Sequence, residues 1–194
     1  MDLVGGLIAL ILFSPLFLLI ALLIRLDSPG PVFFAQKRVG RELRLFSMLK
    51  FRSMVDKAET MGTGLFSYDD DPRVTRVGKF LRMTSLDELP QLFNVLQGTM
   101  SLVGPRPPVS YELGPIEEYT EAMKIRFQVK PGITGLAQVT GRNDLDWDQK
   151  IVHDNRYVAL WKKWGILIDV WILLRTLWVV LSAANVIEKR RDQI

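Results

Sequence analysis

Asp87 and Glu88 stand side by side in Leu86-Asp87-Glu88-Leu89-Pro90, and adjacent carboxylates can attack phosphorus, hold a metal or start a helix. Arg82-Met83-Thr84-Ser85 supplies candidate caps, and Pro90 is tolerated only within about the first helical turn. This predicts both acids at a helix N-terminus, where the partial positive charge favours carboxylate over carboxylic acid. The pair then suits nucleophilic attack or metal binding better than general-acid work. The competing reading is a capping box, Ser85-x-x-Glu88, that only starts the helix. Taken alone, the pair favours the capping box.

Two downstream loops change that balance. In Ser101-Leu102-Val103-Gly104-Pro105-Arg106-Pro107-Pro108, Pro105 and Pro107 restrict the backbone around Arg106 and present its guanidinium to an anion at low entropic cost. In the stretch from Lys130 to Asn143, Gly132, Gly135 and Gly141 would let the backbone approach a ligand, and Arg142 follows as a second planar donor. Each loop alone could be an ordinary turn with a solvated arginine.

The elements that must position these residues begin with an uncharged run from Leu3 to Ile24, 22 residues long and sufficient to cross a hydrocarbon core. It lacks the basic start and cleavage site of a signal peptide. Pro15 cannot donate to the Ile11 carbonyl and should kink the helix, with the Ser14 hydroxyl able to take over that carbonyl. A kinked spanning helix and a re-entrant helix broken at Ser14-Pro15 are both compatible with this pattern. Between Arg25 and Arg52 there are seven cations against two anions, and anionic headgroups are the better partner for them than nucleic acid. Recognisable nucleic-acid motifs are absent from the sequence. At the other end, Trp161, Trp164, Trp171 and Trp178 share one arc of a helix predicted over about 161–181, with Lys162 and Asp169 opposite. This suggests an interfacial helix, with Arg175 reaching lipid phosphate.

The chain has 194 residues, a net charge of +4, no cysteine and a single histidine, His153. Disulfide frameworks, thiol catalysis and cysteine- or histidine-rich metal sites are thereby excluded, and one modest core is expected. Short strands over Val32–Gln36 and Leu45–Phe51 read as a hairpin around Gly40, and helices are predicted over 77–82, 89–96, 116–127 and 147–163. Residues 57–71 read as a loop able to close over a substrate, its three aspartates a solvated run. The fold class is α+β, mostly helical.

Taken with Asp87-Glu88 and these loops, the ordered blocks Gly30-Pro31-Val32-Phe33-Phe34-Ala35-Gln36, Arg38-Val39-Gly40, Met48-Leu49-Lys50-Phe51-Arg52-Ser53-Met54 and Asp71-Pro72-Arg73-Val74-Thr75-Arg76-Val77-Gly78 complete a pattern. Over nearly its whole length the chain resembles the bacterial sugar transferases, the monotopic polyprenyl-phosphate phosphoglycosyl transferases. The resemblance implies a re-entrant membrane helix over 1–28 and a cytosol-facing catalytic domain over 29–194 at the bacterial inner membrane. It implies transfer of sugar 1-phosphate from a UDP-sugar to polyprenyl (undecaprenyl) phosphate, releasing UMP. Asp87 would be the nucleophile, with Glu88, and with it Asp87, holding Mg²⁺; Arg82, Arg106, Arg126 and Arg142 would contact phosphates. Membrane lipids are expected partners, and a homodimer is compatible with the pattern. A non-catalytic membrane scaffold for polysaccharide export is the alternative; it would need neither Asp87 nor Arg106.

Overall fold

The computed structural model describes residues 1–61, 71–141 and 144–181. The fold is mostly helical α+β, with two small two-stranded sheets and one long apolar N-terminal helix.

That helix, α1 (Asp2–Asp27), is by length and composition able to cross a membrane. Contrary to the expected break, helical structure continues through Pro15. The Ser14 hydroxyl donates to the Ile11 carbonyl at 2.8 Å, so the bond that Pro15 cannot make is replaced without interrupting the helix. Residues 11–15 are exposed on every side, whereas both halves of the helix bury residues against the body. Both ends are also tethered. Asp2 accepts from the Ser101 hydroxyl at 3.0 Å, and Asp27 accepts from the Val77 amide at 2.9 Å.

The expected hairpin is present: β1 (Phe33–Val39) pairs antiparallel with β2 (Leu45–Phe51), Phe33 opposite Phe51 and Val39 opposite Leu45. Helix α2 (Arg76–Thr84) is capped by the Thr75 hydroxyl, which accepts from the Gly78 amide at 3.0 Å. Helix α3 (Gln91–Leu96) follows after a single 3₁₀ turn, Leu86–Glu88, entered through Ser85 at φ 58°. Asp87 and Glu88 therefore lie between two helices rather than at the start of one. No capping box forms, because the Glu88 carboxylate turns to Lys50 and Arg106.

Strands β3 (Ser101–Val103) and β4 (Gly132–Thr134) are parallel, and the crossover between them carries Arg106 and Arg126. Within that crossover the helix expected over 116–127 is divided into a 3₁₀ turn, α4 (Glu121–Ile125, capped by Thr120) and a second 3₁₀ turn, Arg126–Gln128. Helix α5 (Leu136–Thr140) leads to α6 (Trp147–Trp164), which a capping box between Asp146 and Gln149 starts. Gly165, at φ +55°, ends α6 before α7 (Ile166–Leu181) begins. The single helix expected over 161–181 is thus two, and the four tryptophans do not share one helical arc. All four are nonetheless exposed, and α7 shows solvent an apolar face of Leu167, Leu174, Leu177 and Trp178, each above 60% exposed. Asp169 points the other way, buried, and accepts from the Tyr157 hydroxyl at 2.8 Å.

Of the four apolar clusters among the described residues, two are the largest, each buried side chain worth about 1.5–3 kcal/mol. One joins Val103, Leu136, Val139, Tyr157, Val158 and Ile172 across β3 and α5 to α7. The other joins Phe17, Ile20 and Ile24 of α1 to Phe51 and Leu81, with Leu86, Leu89 and Phe93 against it. Of the loop expected over 57–71, residues 62–70 lie outside the described residues. Asp71 is not solvated as expected: it is buried and grips Arg73 through both carboxylate oxygens.

Candidate active site

The turn bearing Asp87 and Glu88 is fixed by its flanks. Leu86 and Leu89 pack into the α1 cluster, which leaves the two acids between them facing Lys50 of β2 and Arg106 of the crossover. Lys50 Nζ lies 3.2 Å from Glu88 Oε1 and 3.8 Å from Asp87 Oδ2, and Arg106 Nη1 donates to Glu88 Oε1 at 3.0 Å. Arg82 of α2 donates through Nε to the Ser53 hydroxyl at 2.9 Å, and its charge also reaches Asp87. Three cations thus surround two carboxylates, which leaves the cleft net positive before an anionic substrate enters.

The two acids differ in electrostatics. Burial pushes the Asp87 carboxyl above the ordinary carboxylate range; Lys50 pulls it back, and the Glu88 charge adds to the push. Burial would raise Glu88 too, but the charges and hydrogen bonds of Arg106 and Lys50 outweigh it and hold that carboxyl well below the usual range. Glu88 is a fixed anion. Asp87 is the more basic carboxylate of the pair.

Arg106 is held from behind by a set of bonds that sequence reasoning did not anticipate. Proline lacks an N–H, so the handles of Pro105-Arg106-Pro107-Pro108 are its carbonyls. Each accepts one bond from a different donor: Pro105 from the Gly132 amide at 3.0 Å, Arg106 from Arg126 Nη2 at 2.6 Å, Pro107 from Arg38 Nη1 at 3.0 Å and Pro108 from the Val39 amide at 3.0 Å. Arg38 also donates from Nε and Nη2 to Gln36 Oε1, at 3.1 and 2.6 Å.

The structure brings together Asp87, Glu88, Arg82 and Arg106, and adds Lys50. The local signal for Lys50 was a lone cation between Leu49 and Phe51 in a mostly apolar strand. Arg126 is not beside the acids; it is 1% exposed, behind Arg106. Arg142 lies outside the described residues. The glycines expected to admit a ligand instead face the chain itself. A side chain on Gly132 would meet the Gly104 amide and the Thr134 carbonyl, one on Gly135 would meet the Gly104 carbonyl, and one on Gly141 would meet Leu145. Gly132 and Gly135 therefore close the seam between β3 and β4.

Among the described residues no three metal-ligating side chains cluster. Mg²⁺ retains waters and takes one or two carboxylates with substrate phosphates, so the donor chemistry of Asp87 and Glu88 fits a shared site of that kind and not an all-protein cage.

The model of the bacterial sugar transferase family matches residues 1–183. The chain belongs to that family. The chain is 44% identical over 194 residues to the undecaprenyl-phosphate galactose phosphotransferase of Salmonella typhimurium, covering 93% of this chain and 39% of the relative. It is 45% identical over 185 residues to the UDP-N-acetylgalactosamine-undecaprenyl-phosphate N-acetylgalactosaminephosphotransferase of Aeromonas hydrophila, covering 94% and 43%. It is 40% identical over 190 residues to the exopolysaccharide production protein ExoY of Rhizobium meliloti, covering 91% and 81%. The chain spans about two fifths of the length of the first two of these relatives and most of the third.

Proposed function

We propose that this sugar transferase moves sugar 1-phosphate from a UDP-sugar to undecaprenyl phosphate in two displacements. Asp87 attacks the β-phosphorus, the bond to the UMP oxygen breaks, and an aspartyl phosphosugar forms as UMP leaves. An oxygen of the lipid phosphate then attacks that phosphorus and releases Asp87, giving undecaprenyl-diphosphate-sugar. Splitting the transfer keeps the two phosphate anions from having to meet directly. Lys50 and Arg106 neutralise charge on the diphosphate, and Arg82 lies on the α2 side of Asp87. Mg²⁺, held by Glu88 and Asp87, would further neutralise the diphosphate and the departing UMP.

The observation that carries this reading is the placement of the two acids: Asp87 and Glu88 share one 3₁₀ turn, with Lys50 Nζ 3.8 and 3.2 Å from them and Arg106 Nη1 3.0 Å from Glu88. A scaffold would need neither. The Salmonella and Aeromonas relatives, both named as undecaprenyl-phosphate sugar phosphotransferases, support the same acceptor. Purified full-length chain with a panel of UDP-sugars should release UMP in multiple turnovers only when polyprenyl phosphate is present. Turnover without the lipid would identify a hydrolase; no release under any pairing would contradict transfer.

The same reading extends to topology. Because Asp2 and Asp27 both bond to the catalytic body, the two ends of α1 belong on one membrane face, while exposed residues 11–15 are the deepest point. This supports a re-entrant helix in the bacterial inner membrane with the catalytic body, and the apolar face of α7, at the cytosolic interface. A cysteine placed at Leu3 should react with an impermeant reagent from the cytosolic side; reaction from the opposite side alone would establish a spanning helix.

A further inference from the structure

Arg126 is the largest fully buried side chain among the described residues, and it sits against two aromatic rings. Its guanidinium carbon is 5.5 Å from the Phe127 ring centroid and 5.2 Å from that of Trp147. From there Nη2 reaches two oxygens: the Arg106 carbonyl at 2.6 Å and Asp154 Oδ2 of α6 at 2.8 Å. Asp154 is 1% exposed, and such a charge pair is costly to bury unless it fixes something in place. What it fixes is the backbone of the active-site arginine. Asp154 also stands one helical turn from Tyr157, whose hydroxyl bonds Asp169 of α7 and the Val103 carbonyl at the end of β3.

We propose that Asp154 and Arg126 are positioning residues that set the place of Arg106, and hence of the phosphate it binds, from helix α6. This rests on Arg106 being the phosphate contact proposed above. Asp154 holds Arg126 in one rotamer, Arg126 holds the Arg106 carbonyl, and the flanking prolines transmit that anchoring to the Arg106 side chain. Without Asp154, Arg126 is an uncompensated buried cation and the carbonyl loses its fixed donor.

The test is a double-mutant cycle on the full chain in detergent or nanodiscs, read as kcat/KM for the UDP-sugar and, independently of turnover, as the Kd of UDP. Asp154→Asn should weaken both at least tenfold, and Asp154→Glu, which keeps the charge, should recover most of the loss. In an Arg106→Gln background the same Asp154→Asn change should alter UDP affinity less than twofold, because the residue it positions is gone. Equal factors in both backgrounds would overturn the proposal and leave Asp154 a merely structural residue. Should Asp154→Asn fail to fold, Arg126→Lys takes its place in the cycle. Lysine keeps the charge facing Asp154 but, shorter and without the planar guanidinium, does not bring one nitrogen to the place Nη2 holds between the two oxygens, and the same non-additivity is expected. A wild-type chain that binds UDP but never transfers would sink the proposed reaction while leaving the UDP arm of the cycle decisive for positioning.

Discussion

The turn over 85–90 and the loop over 105–108 deliver charges to the same cleft by opposite means. The turn is held by apolar contacts: Leu86 and Leu89 sink into the cluster built on Phe17, Ile20 and Ile24, and the carboxylates between them take no part in that packing. The loop is held by directional bonds, one to each of four successive carbonyls. The proposed nucleophile is therefore placed by the apolar helix α1, whereas the proposed phosphate contact is placed by β1, β4 and the crossover that carries Arg126. Changing the chemistry of a turn side chain should leave the fold intact, and disturbing the donors behind the loop should misplace Arg106 without touching Asp87.

The largest expected effect breaks the turn's chemistry alone. Asp87→Asn should lower kcat/KM at least ~1,000-fold, about 4 kcal/mol on the barrier, with the melting temperature within about 2 °C of wild type. Activity within tenfold would remove Asp87 as nucleophile. Next, Glu88→Gln should cost on the order of 100-fold and raise the Mg²⁺ concentration needed for half-maximal rate, since Lys50 and Arg106 lose their fixed counter-charge. An unchanged metal titration would count against Glu88 as a ligand.

On the loop side, Arg38→Met removes the Pro107 anchor. Burial, with repulsion from Arg106, lowers that guanidinium only to about 10, so it is charged at neutral pH. The variant should raise KM for the UDP-sugar roughly fivefold to tenfold with a smaller change in kcat, because the loop loses placement and not chemistry. A fall in kcat alone would place Arg38 in the chemical step.

The smallest effect is on stability. Burial pushes the Asp154 carboxyl up to about 6 against the pull of Arg126 and Lys150. The folded state then holds this proton more tightly than the unfolded chain, so the contribution of Asp154 to stability is greatest at low pH and falls as pH rises from about 4 to 6. Thermal unfolding of wild type and Asp154→Asn across that range should differ in slope, the variant lacking the component from this group. Identical slopes would mean that Asp154 titrates at its ordinary value.

Local signals in the sequence reached the hairpin, the helices around 76–84 and 147–164, the Ser14 bond to Ile11 and the joining of Asp87 and Glu88 to Arg106. Each rests on neighbours in the chain or on a strong motif. The departures arose where tertiary contacts override local preference. Ser85 in a left-handed conformation turns the expected helix start into a 3₁₀ turn, because Glu88 gains more from Lys50 and Arg106 than from a cap. Gly165 divides what helical periodicity read as one element. Gly132 and Gly135 serve the meeting of β3 and β4, a contact between residues some 30 apart that no local pattern reveals. Arg126 looked like a substrate ligand because arginine type alone does not distinguish a phosphate from a backbone carbonyl, and its partner Asp154 lies 28 positions further along the chain.

The central claim, that Asp87 carries the sugar phosphate, is tested most directly without the lipid acceptor. Enzyme mixed with UDP-sugar alone should release at most one UMP per active site, and intact-protein mass spectrometry should find the added mass of one sugar phosphate, localised by proteolysis to Asp87 and absent from Asp87→Asn. Polyprenyl phosphate should then discharge it. No UMP and no added mass until the lipid arrives would contradict the account and require a direct transfer between the two substrates.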